Sequence, residues 1–455
     1  MSGSLMYRDE IVAMNEDDLE NERRHLNVVL IGHSEGGKST MLGQILLLTG
    51  QVDEEEIQEC QRKANEYNRE SCHLAYIMDT DEYERRNGTV ELGRANFDTK
   101  NSIVTMLDAP GHKDFVPNMI RGVYEADIGV LVISAREPEF ETGFQEGGKV
   151  EMIGQTREHV LIAKGLGLEK VIVVVNKMDD PTVNWSEDRY NEIQEKVVPF
   201  LQSVGYDTNE DVVFLPISGL IGINMDKRME DVCSWWSGRT LFEVLDSLEV
   251  VPPGDPLGPF RMSIFEHYKD LDSSVVTGRV NSGRIQECDF LTISPNGSYV
   301  KVQALYCDDE KVRQAKPGDN LTIHLAGRTG DVTSGSLLLC TMRSCPAVTR
   351  FFASVKFFKE PHCGIFFPGY KASLHIHEAI EDCEIIDIRV LEDGVVIEQE
   401  IMSVKNREEA LCLIEVSKSI CMESSSRFPR LGKFVLRCGG HTIASGDVIE
   451  PLLSV

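Results

Sequence analysis

The residues best suited to chemistry in this chain form a glycine-rich loop directly after an apolar run. The segment Gly32-His33-Ser34-Glu35-Gly36-Gly37-Lys38-Ser39 matches the pattern G-x-x-x-x-G-K-[ST]. The glycines of such a loop let backbone N–H groups curl around phosphates, the lysine reaches the β- and γ-phosphate oxygens, and the hydroxyl binds Mg²⁺. The apolar helix predicted next adds its N-terminal dipole. The predicted phosphate contacts are Gly32, Ser34, Glu35, Gly36, Gly37, Lys38, Ser39 and Thr40.

A second motif, Asp108-Ala109-Pro110-Gly111-His112, ends a later apolar run. An aspartate at such a strand end holds the Mg²⁺ shell in phosphoryl-transfer sites. The N–H of Gly111 is expected to face the γ-phosphate, and His112 is expected to orient the attacking water. The motif therefore predicts hydrolysis of the bound nucleotide.

A third motif, Asn176-Lys177-Met178-Asp179, indicates which base is bound. The carboxylate of Asp179 can accept hydrogen bonds from guanine N1–H and N2–H₂, a pattern that adenine does not offer. The aliphatic stem of Lys177 can cover one face of the ring. Asn176 either binds the base or ties this loop to the phosphate loop. The backbone of Ser218-Gly219-Leu220, after the next run, is expected to face guanine O6, so guanine is the predicted base.

Short β-branched runs precede these motifs and alternate with segments of helical character. Such alternation predicts an α/β domain with a mostly parallel sheet over residues 26–248. The runs are NVVLI (27–31), IVTML (103–107), IGVLVIS (128–134), KVIVVV (170–175) and VVFLPI (212–217).

The sequence pattern changes on either side of this domain. Residues 1–25 are charged and predict a short, mobile, acidic leader. Four prolines within 249–260 predict a linker. Short alternating segments beyond it, separated by Gly, Asn and Pro turns, predict two antiparallel β-barrel domains, 261–345 and 346–455.

Composition narrows the function classes. With 46 Lys+Arg against 74 Asp+Glu, the formal charge of −28 disfavours broad, sequence-independent binding to nucleic acid. The 12 cysteines form no C-x-x-C pair, no apolar run approaches the ~20 residues of a membrane span, and the start has no signal core, so we expect a cytoplasmic protein without a membrane partner. One window, 424–446, lacks acidic residues and is predicted to offer a basic contact surface; its cations are Arg427, Arg430, Lys433 and Arg437.

The motifs and their flanking text resemble translational GTPases of the elongation-factor type, and are closest to the eukaryotic class II peptide chain release factor. The stretches that carry this resemblance are ERRNGTVELGRANFDT (84–99), DAPGHKDFVPNMIRG (108–122), EFETGF (139–144), QTREH (155–159), NKMDDPTVNWSEDRY (176–190), GYKASLHIHEAIEDCEI (369–385) and FPRLGKFVLRCGGHTIASGDV (428–448).

The resemblance implies a GTP-binding domain followed by two β-barrels, with GTP or GDP and Mg²⁺ as cofactors. It implies a factor that delivers the tRNA-shaped class I release factor to a ribosome stopped at a stop codon and hydrolyses GTP there. By this resemblance, Thr89 completes the Mg²⁺ shell with Ser39 and Asp108. The implied catalytic set is His112, Lys38, Thr89 and Gly111. The implied partner contact lies in the last barrel around Gly432, Lys433, Phe434 and Arg437.

The sequence also departs from the family pattern. Ser34, Glu35 and Gly36 replace the middle of the usual H-V-D-A-G-K, and Arg86-Asn87-Gly88-Thr89 is one residue shorter than usual. The apolar gate that restrains the catalytic histidine in elongation factors therefore cannot form in its usual way. Three alternatives remain at this point: a ribosome-rescue GTPase that works with a Pelota-type factor, an aminoacyl-tRNA delivery factor, and a nucleotide-binding termination scaffold with little hydrolysis.

Overall fold

The computed structural model describes most of the chain. The described residues are 24–79, 81–146, 153–250, 254–270, 273–307, 310–341, 345–358, 365–392, 395–396, 404–405 and 409–453. No helix in these ranges is long and apolar enough to cross a bilayer. The predicted fold class, an α/β domain followed by two antiparallel barrels, is confirmed.

A six-stranded sheet forms the centre of the α/β domain, in the order β2-β3-β1-β4-β5-β6. All neighbouring strands are parallel except β2, which pairs antiparallel to β3. The five predicted runs lie within β1 and β3–β6. The strands are β1 (Arg24–Ile31), β2 (Gly93–Asp98), β3 (Ser102–Asp108), β4 (Ile128–Ser134), β5 (Lys170–Asn176) and β6 (Val212–Pro216).

Strand β1 begins inside the predicted leader, which corrects the boundary at residue 25. The Arg24 guanidinium donates to the carbonyl oxygens of Leu245 (2.8 Å) and Leu248, and His25 Nε2 lies 3.1 Å from Thr105 Oγ1. These polar contacts extend the strand beyond its apolar run. The rest of the predicted leader, residues 1–23, lies outside the described part of the chain.

Helices cover both faces of the sheet, and the carboxyl ends of the parallel strands point to one edge. The helices are α1 (Lys38–Leu48), α2 (Glu54–Glu66), α3 (Glu82–Asn87), α4 (Val116–Glu125), α5 (Glu139–Phe144), α6 (Gln155–Gly165), α7 (Glu187–Val204) and α8 (Leu241–Ser247). Single 3₁₀ turns lie at Ser34–Gly36, Glu70–Cys72, Ala75–Ile77 and Lys113–Phe115. All three sequence motifs therefore meet at one edge of the sheet.

The first barrel closes through the pairing of β10 with β11, in the order β10-β15-β7-β8-β14-β11. Phe260 is buried in its core and its carbonyl accepts the Cys340 N–H (3.3 Å), so the last residue of the predicted linker packs with the barrel. Residues 251–253 lie outside the described ranges. The strands are β7 (Arg261–Asp270), β8 (Ser273–Ser282), β9 (Ile285–Gln286), β10 (Phe290–Ser294), β11 (Ser298–Cys307), β12 (Glu310–Val312), β13 (Gln314–Ala315), β14 (Asn320–Ala326) and β15 (Leu337–Cys340).

The second barrel closes through the pairing of β18 with β19, in the order β18-β23-β24-β16-β22-β19. Along its strands, buried residues of the inner face alternate with more exposed residues of the outer face, as expected for antiparallel strands. Its elements are β16 (Ala347–Phe357), β17 (Ile365–Phe366), β18 (Tyr370–Ile376), β19 (Ala379–Glu392), β20 (Val395–Val396), β21 (Val404–Lys405), β22 (Glu409–Cys421), α9 (Pro429–Gly432), β23 (Lys433–Cys438) and β24 (His441–Leu452).

One buried carboxylate joins all three parts of the chain. Asp127, just before β4, accepts the Asn27 N–H (3.0 Å), and its other oxygen accepts from Arg279 of the first barrel and Arg430 of the second (3.1 Å). Burial alone would raise the pKa of Asp127, but the two guanidinium groups hold it below its usual value. The charge is therefore retained inside the junction.

We expect Asp127→Asn to lower the free energy of unfolding by about 3–5 kcal/mol, because Arg279 and Arg430 lose a buried counter-charge. Urea denaturation followed by tryptophan fluorescence measures the effect. Asp226→Asn is the matched control, since that carboxylate is 43% exposed and lies 3.9 Å from Lys227. Equal losses in the two variants would contradict the prediction.

Candidate nucleotide site

The phosphate loop requires glycine at its two ends. Gly32 has φ +130°, and a Cβ there would lie 2.4 Å from the Val132 carbonyl oxygen. Gly37 has φ +89°, and a Cβ there would lie 2.6 Å from Asn176 Nδ2. The loop between β1 and α1 thus lies too close to the Val132 backbone and the Asn176 side chain for a side chain at either position.

Lys38 is buried at the start of α1, inside the curve of the loop. Its ammonium group donates to the carbonyl oxygens of Gly32 and His33, both at 3.0 Å. Burial lowers the pKa of Lys38 to about 8, and Asp108 acts in the opposite direction. A phosphate at this loop would supply the counter-charge that the buried ammonium group lacks.

Gly111 of the second motif lies against the same loop. A Cβ at this position would come within 2.4 Å of Lys38 Nζ and 2.6 Å of Ser34 N. The structure therefore brings together the residues predicted to flank the terminal phosphate, and only glycine leaves room for the approach.

Four oxygen-bearing side chains meet beside the loop. Ser39 Oγ lies 2.9 Å from Thr89 Oγ1, which in turn donates to Asp79 Oδ1 at 3.3 Å. Both carboxylate oxygens of Asp108 are buried and have no hydrogen-bond partner among the described residues. Hard oxygen donors of this kind suit Mg²⁺, so the residues present fit the predicted metal.

Asp79 is the member of this group that the sequence did not reveal. Burial, together with the charge of the nearby Asp108, raises its pKa to about 7. Burial also raises the pKa of Asp108 to about 6, although Lys38 opposes the shift. Raised pKa values mean that the charged forms of both carboxyl groups are disfavoured, and a cation between them would stabilise those forms. Asp79 follows no strand and belongs to no motif, so no local signal marks it.

The third motif is tied to the first. Asn176 Nδ2 donates to the Gly36 carbonyl oxygen (2.9 Å), and Asn176 Oδ1 accepts the Gly219 N–H (2.7 Å). Of the two roles considered for Asn176, the structure places it in the tie between loops. Ser218 is buried in the same turn, and Leu220 is partly exposed beyond it.

The base-recognition candidates of this motif remain open at the surface. The half-buried Asp179 carboxylate has no hydrogen bond within the described part of the chain. Lys177, in the left-handed region with φ +62°, pairs with Glu139 of α5 at 2.8 Å. Burial would raise the pKa of Glu139, but its bonds to Lys177 and Ser134 lower it. Glu139, which sequence reasoning missed, thus fixes the stem expected to cover the base.

His112 is held by its own turn rather than by an apolar gate. Its ring is 52% exposed, and Nδ1 accepts the Asp114 N–H (3.4 Å) and lies 3.5 Å from Asp114 Oδ2. The ring centroid lies 5.9 Å from that of Phe115. In the described ranges no hydrogen bond joins His112 to Lys38, Thr89 or Gly111, so its catalytic role stays a prediction.

The residues predicted to contact a partner are mostly buried inside the chain. Gly432 and Phe434 are core residues, and Lys433 pairs with Asp447 (3.0 Å). Arg437 is 8% exposed and donates to Glu158 of α6 (3.4 Å). Of the side chains predicted for the partner, Phe434 therefore belongs to the barrel core and Arg437 to the interface with the α/β domain, where β23 and β24 pack against α6.

The basic window of residues 424–446 is corrected for the same reason. Arg430 donates to Asp127 and to the carbonyl oxygens of Tyr124 (2.7 Å) and Ala126 (2.8 Å). Burial lowers the pKa of Arg430 to about 9. Arg427 lies over the Phe428 ring at 5.4 Å. The window is a set of internal contacts, not an open basic surface.

Helix α6 connects the phosphate loop to the second barrel through adjacent residues. His159 Nδ1 accepts the Gly32 N–H (3.0 Å), and burial lowers its pKa well below the usual value. Glu158 Oε1 accepts the Thr442 N–H (3.2 Å) and hydroxyl (3.0 Å). In the sequence, the QTREH stretch (155–159) only supported the family resemblance, and nothing there indicated that it connects the loop to the barrel.

We expect Asn176→Ala to lower the free energy of unfolding by about 2–3 kcal/mol, because the Gly36 carbonyl and the Gly219 N–H lose their buried partner. Calorimetric unfolding measures the loss. Asn209→Ala is the control, since Asn209 is exposed. A loss in Asn176→Ala no larger than in the control would show that the tie does not hold the loops.

Comparison with known proteins places these features in a family. Residues 23–250 match the model described as the elongation factor Tu GTP binding domain, and residues 350–449 match the one described as GTP-eEF1A C-terminal domain-like. The solved structure of the Saccharomyces cerevisiae Ski7 GTPase-like domain, bound to GTP, is similar with a TM-score of 0.77 at 18% identity. It covers 95% of this chain and 99% of that one, and it shows the fold alone.

Curated relatives give the finer assignment. The eukaryotic peptide chain release factor GTP-binding subunit of Kluyveromyces lactis is 36% identical over 99% of this chain and 65% of its own length. The subunit of the same name from Schizosaccharomyces pombe is 37% identical over 97% of this chain and 68% of its own. The chain thus spans about two thirds of the length of these relatives. With this identity over nearly all of its residues, the chain belongs to the family of eukaryotic peptide chain release factor GTP-binding subunits.

Proposed function

We propose that this chain binds GTP and GDP and hydrolyses GTP as the GTP-binding subunit of a translation termination complex. The observation that carries the proposal is the meeting of three motifs at one sheet edge, with Gly111 against Lys38 and Asn176 bonded to both Gly36 and Gly219. Relatives that are 36–37% identical over nearly the whole chain carry the name of that subunit.

The proposed reaction is in-line attack of water on the γ-phosphate, with catalysis by positioning and charge stabilisation. Lys38 and the loop N–H groups neutralise the phosphate oxygens, and the Gly111 N–H donates to the γ-phosphate. His112 leaves its contact with Asp114 to orient the water. The exposure of its ring and the weak contact at 3.4–3.5 Å support such a movement.

Ser39, Thr89 and Asp108 would hold Mg²⁺, with Asp79 hydrogen-bonded to Thr89 behind them. When bound, the ion supplies positive charge to the β- and γ-phosphate oxygens. The unpartnered oxygens of Asp108 support this assignment.

Asp179 would read guanine through N1–H and N2–H₂, and the stem of Lys177, fixed by Glu139, would cover the ring. The backbone of the Ser218-Gly219-Leu220 turn, which Asn176 holds through the Gly219 N–H, would face O6. The Asp179 carboxylate is available for two hydrogen bonds, which supports guanine over adenine.

The proposed partners are a class I release factor and the ribosome, in the cytoplasm. Since Phe434 is buried in the barrel core, the partner would dock beside it on the second barrel. An open groove of about 720 Å³ lies there, between β18, β19, β22 and β23. The mostly buried Arg437 lines this groove together with Lys371, Asp382, Glu384 and Glu415, so the groove offers both signs of charge to a partner.

The ribosome-rescue and aminoacyl-tRNA delivery alternatives differ from this proposal in the partner. We expect the chain to retain a termination-type class I release factor in preference to a Pelota-type factor, because its relatives are release factor subunits. A pull-down with GTP present, using both factors at equal concentration, makes the comparison. Preference for the Pelota-type factor would reverse the assignment.

The scaffold alternative differs in chemistry, and it is motivated by the shortened segment before Thr89. We expect ribosomes together with the class I factor to stimulate GTP hydrolysis by the wild-type chain. His112→Ala is expected to lose this stimulation and to keep its affinity for GTP, because the ring acts on water rather than on the nucleotide.

Phosphate release under single-turnover conditions measures hydrolysis, and a fluorescent GTP analogue measures binding. His73→Ala, which changes a partly exposed histidine outside the motifs, is the control. Stimulated turnover by His112→Ala at the wild-type rate would remove the proposed role of His112. Absence of stimulation in the wild type would favour the scaffold.

A further inference from the structure

The segment before Thr89 is short, yet the threonine still reaches Ser39. Helix α3 ends at Asn87, and Gly88 follows with φ +91° and donates its N–H to the Glu84 carbonyl oxygen (2.6 Å). Thr89 comes next, with its hydroxyl 2.9 Å from Ser39 Oγ. A single glycine therefore turns the chain from the helix into the oxygen cluster.

The side chain of Glu84 holds the backbone directly after Thr89. Its Oε1 accepts the N–H of Val90 at 2.9 Å and of Glu91 at 3.0 Å. Hydrogen bonds from backbone N–H groups to a carboxylate are shorter and stronger than neutral ones. No cation forms an ion pair with Glu84 among the described residues, so these two amides are its principal partners.

Helix α3 is itself fixed, so that Glu84 can act as an anchor. Asp81 accepts the Tyr83 N–H at its start (3.2 Å). Near its end the Arg85 carbonyl oxygen accepts from Arg69 (2.8 Å) and from the Tyr76 hydroxyl (2.9 Å). These contacts join the helix to the preceding segment at both ends.

The other side of the same backbone is held by α4. Asn118 Nδ2 donates to the Val90 carbonyl oxygen at 2.8 Å. Val90 is thus bonded through its N–H to Glu84 and through its carbonyl to Asn118. The peptide after Thr89 is clamped between two helices, and the clamp sets where the threonine hydroxyl lies.

We propose that Glu84 is a positioning residue for Thr89, whose carboxylate compensates for the shortened segment by pinning the Val90 and Glu91 amides. The inference rests on the proposed function in that Thr89 is taken to act at the Mg²⁺ and γ-phosphate site. Glu84 itself touches neither the nucleotide nor the ion. Its effect on them passes through the backbone of residues 89–91.

The test compares Glu84→Ala and Glu84→Gln with Glu82→Ala, a control on the same helix. Glu82 pairs with Arg86 (2.5 Å) and the Tyr67 hydroxyl (3.0 Å) and makes no bond to residues 89–91. Amide hydrogen exchange of Val90 and Glu91 in nucleotide-free chain is the first measurement. The Mg²⁺ concentration that half-maximally slows release of a fluorescent GDP analogue is the second.

We expect Glu84→Ala to speed exchange of the two amides by about tenfold or more, since each loses its acceptor. It should also raise the required Mg²⁺ concentration several-fold. Glu84→Gln keeps an acceptor oxygen but loses the charge, so both measurements should lie between those of wild type and Glu84→Ala. Glu82→Ala should match wild type.

Unchanged exchange in Glu84→Ala, or an equal change in Glu82→Ala, would overturn the inference. Should Glu84→Ala fail to fold, Glu84→Gln carries the test. Unchanged exchange of the Val90 and Glu91 amides in that variant, or exchange as fast as global unfolding produces, would then overturn the inference. The exchange measurement needs no nucleotide. A wild-type chain that bound no GTP would therefore refute the proposed function while leaving the test of Glu84 intact.

Discussion

The carboxylate of Asp127 fixes the frame on which the rest of the molecule depends. It lies at the amino end of β4, opposite the edge where the motifs meet, and accepts from Arg279 of one barrel and Arg430 of the other. Removing Asp127 leaves two buried guanidinium groups without their shared counter-charge, which costs far more than losing a surface ion pair. The arrangement of the domains is therefore set at the sheet edge remote from the nucleotide motifs.

A second connection reaches the motif edge itself. His159 bonds the first glycine of the phosphate loop, and Glu158 beside it bonds Thr442 and Arg437 of the second barrel. Both residues lie on α6, so a shift of the Gly32 backbone acts on a helix that carries the barrel contact.

Most of the frame was predictable from the sequence because it depends on local pattern. The β-branched runs predicted five of the six strands of the sheet, and the motifs predicted the loops that follow these strands. Strand β2 was missed, because GRANFD alternates without a strong apolar face. Asp79, Glu84 and Glu139 were missed for another reason: none of them belongs to a motif whose spacing assigns it a partner, and an acidic residue in a chain with 74 Asp and Glu carries no signal of its own.

The basic window of residues 424–446 shows the same limit of sequence reasoning, here for cations. The sequence shows an excess of cations, but a count of cations does not tell which carboxylates the fold brings to them. Three of the four pair inside the chain: Arg430 with Asp127, Lys433 with Asp447 and Arg437 with Glu158. In a chain of net charge −28, cations are the scarce group, and two of these, Arg430 and Arg437, join the second barrel to the α/β domain. A partner that docked on the second barrel, as proposed, would meet a groove of mixed charge, where the arrangement of charges contributes more to specificity than to affinity.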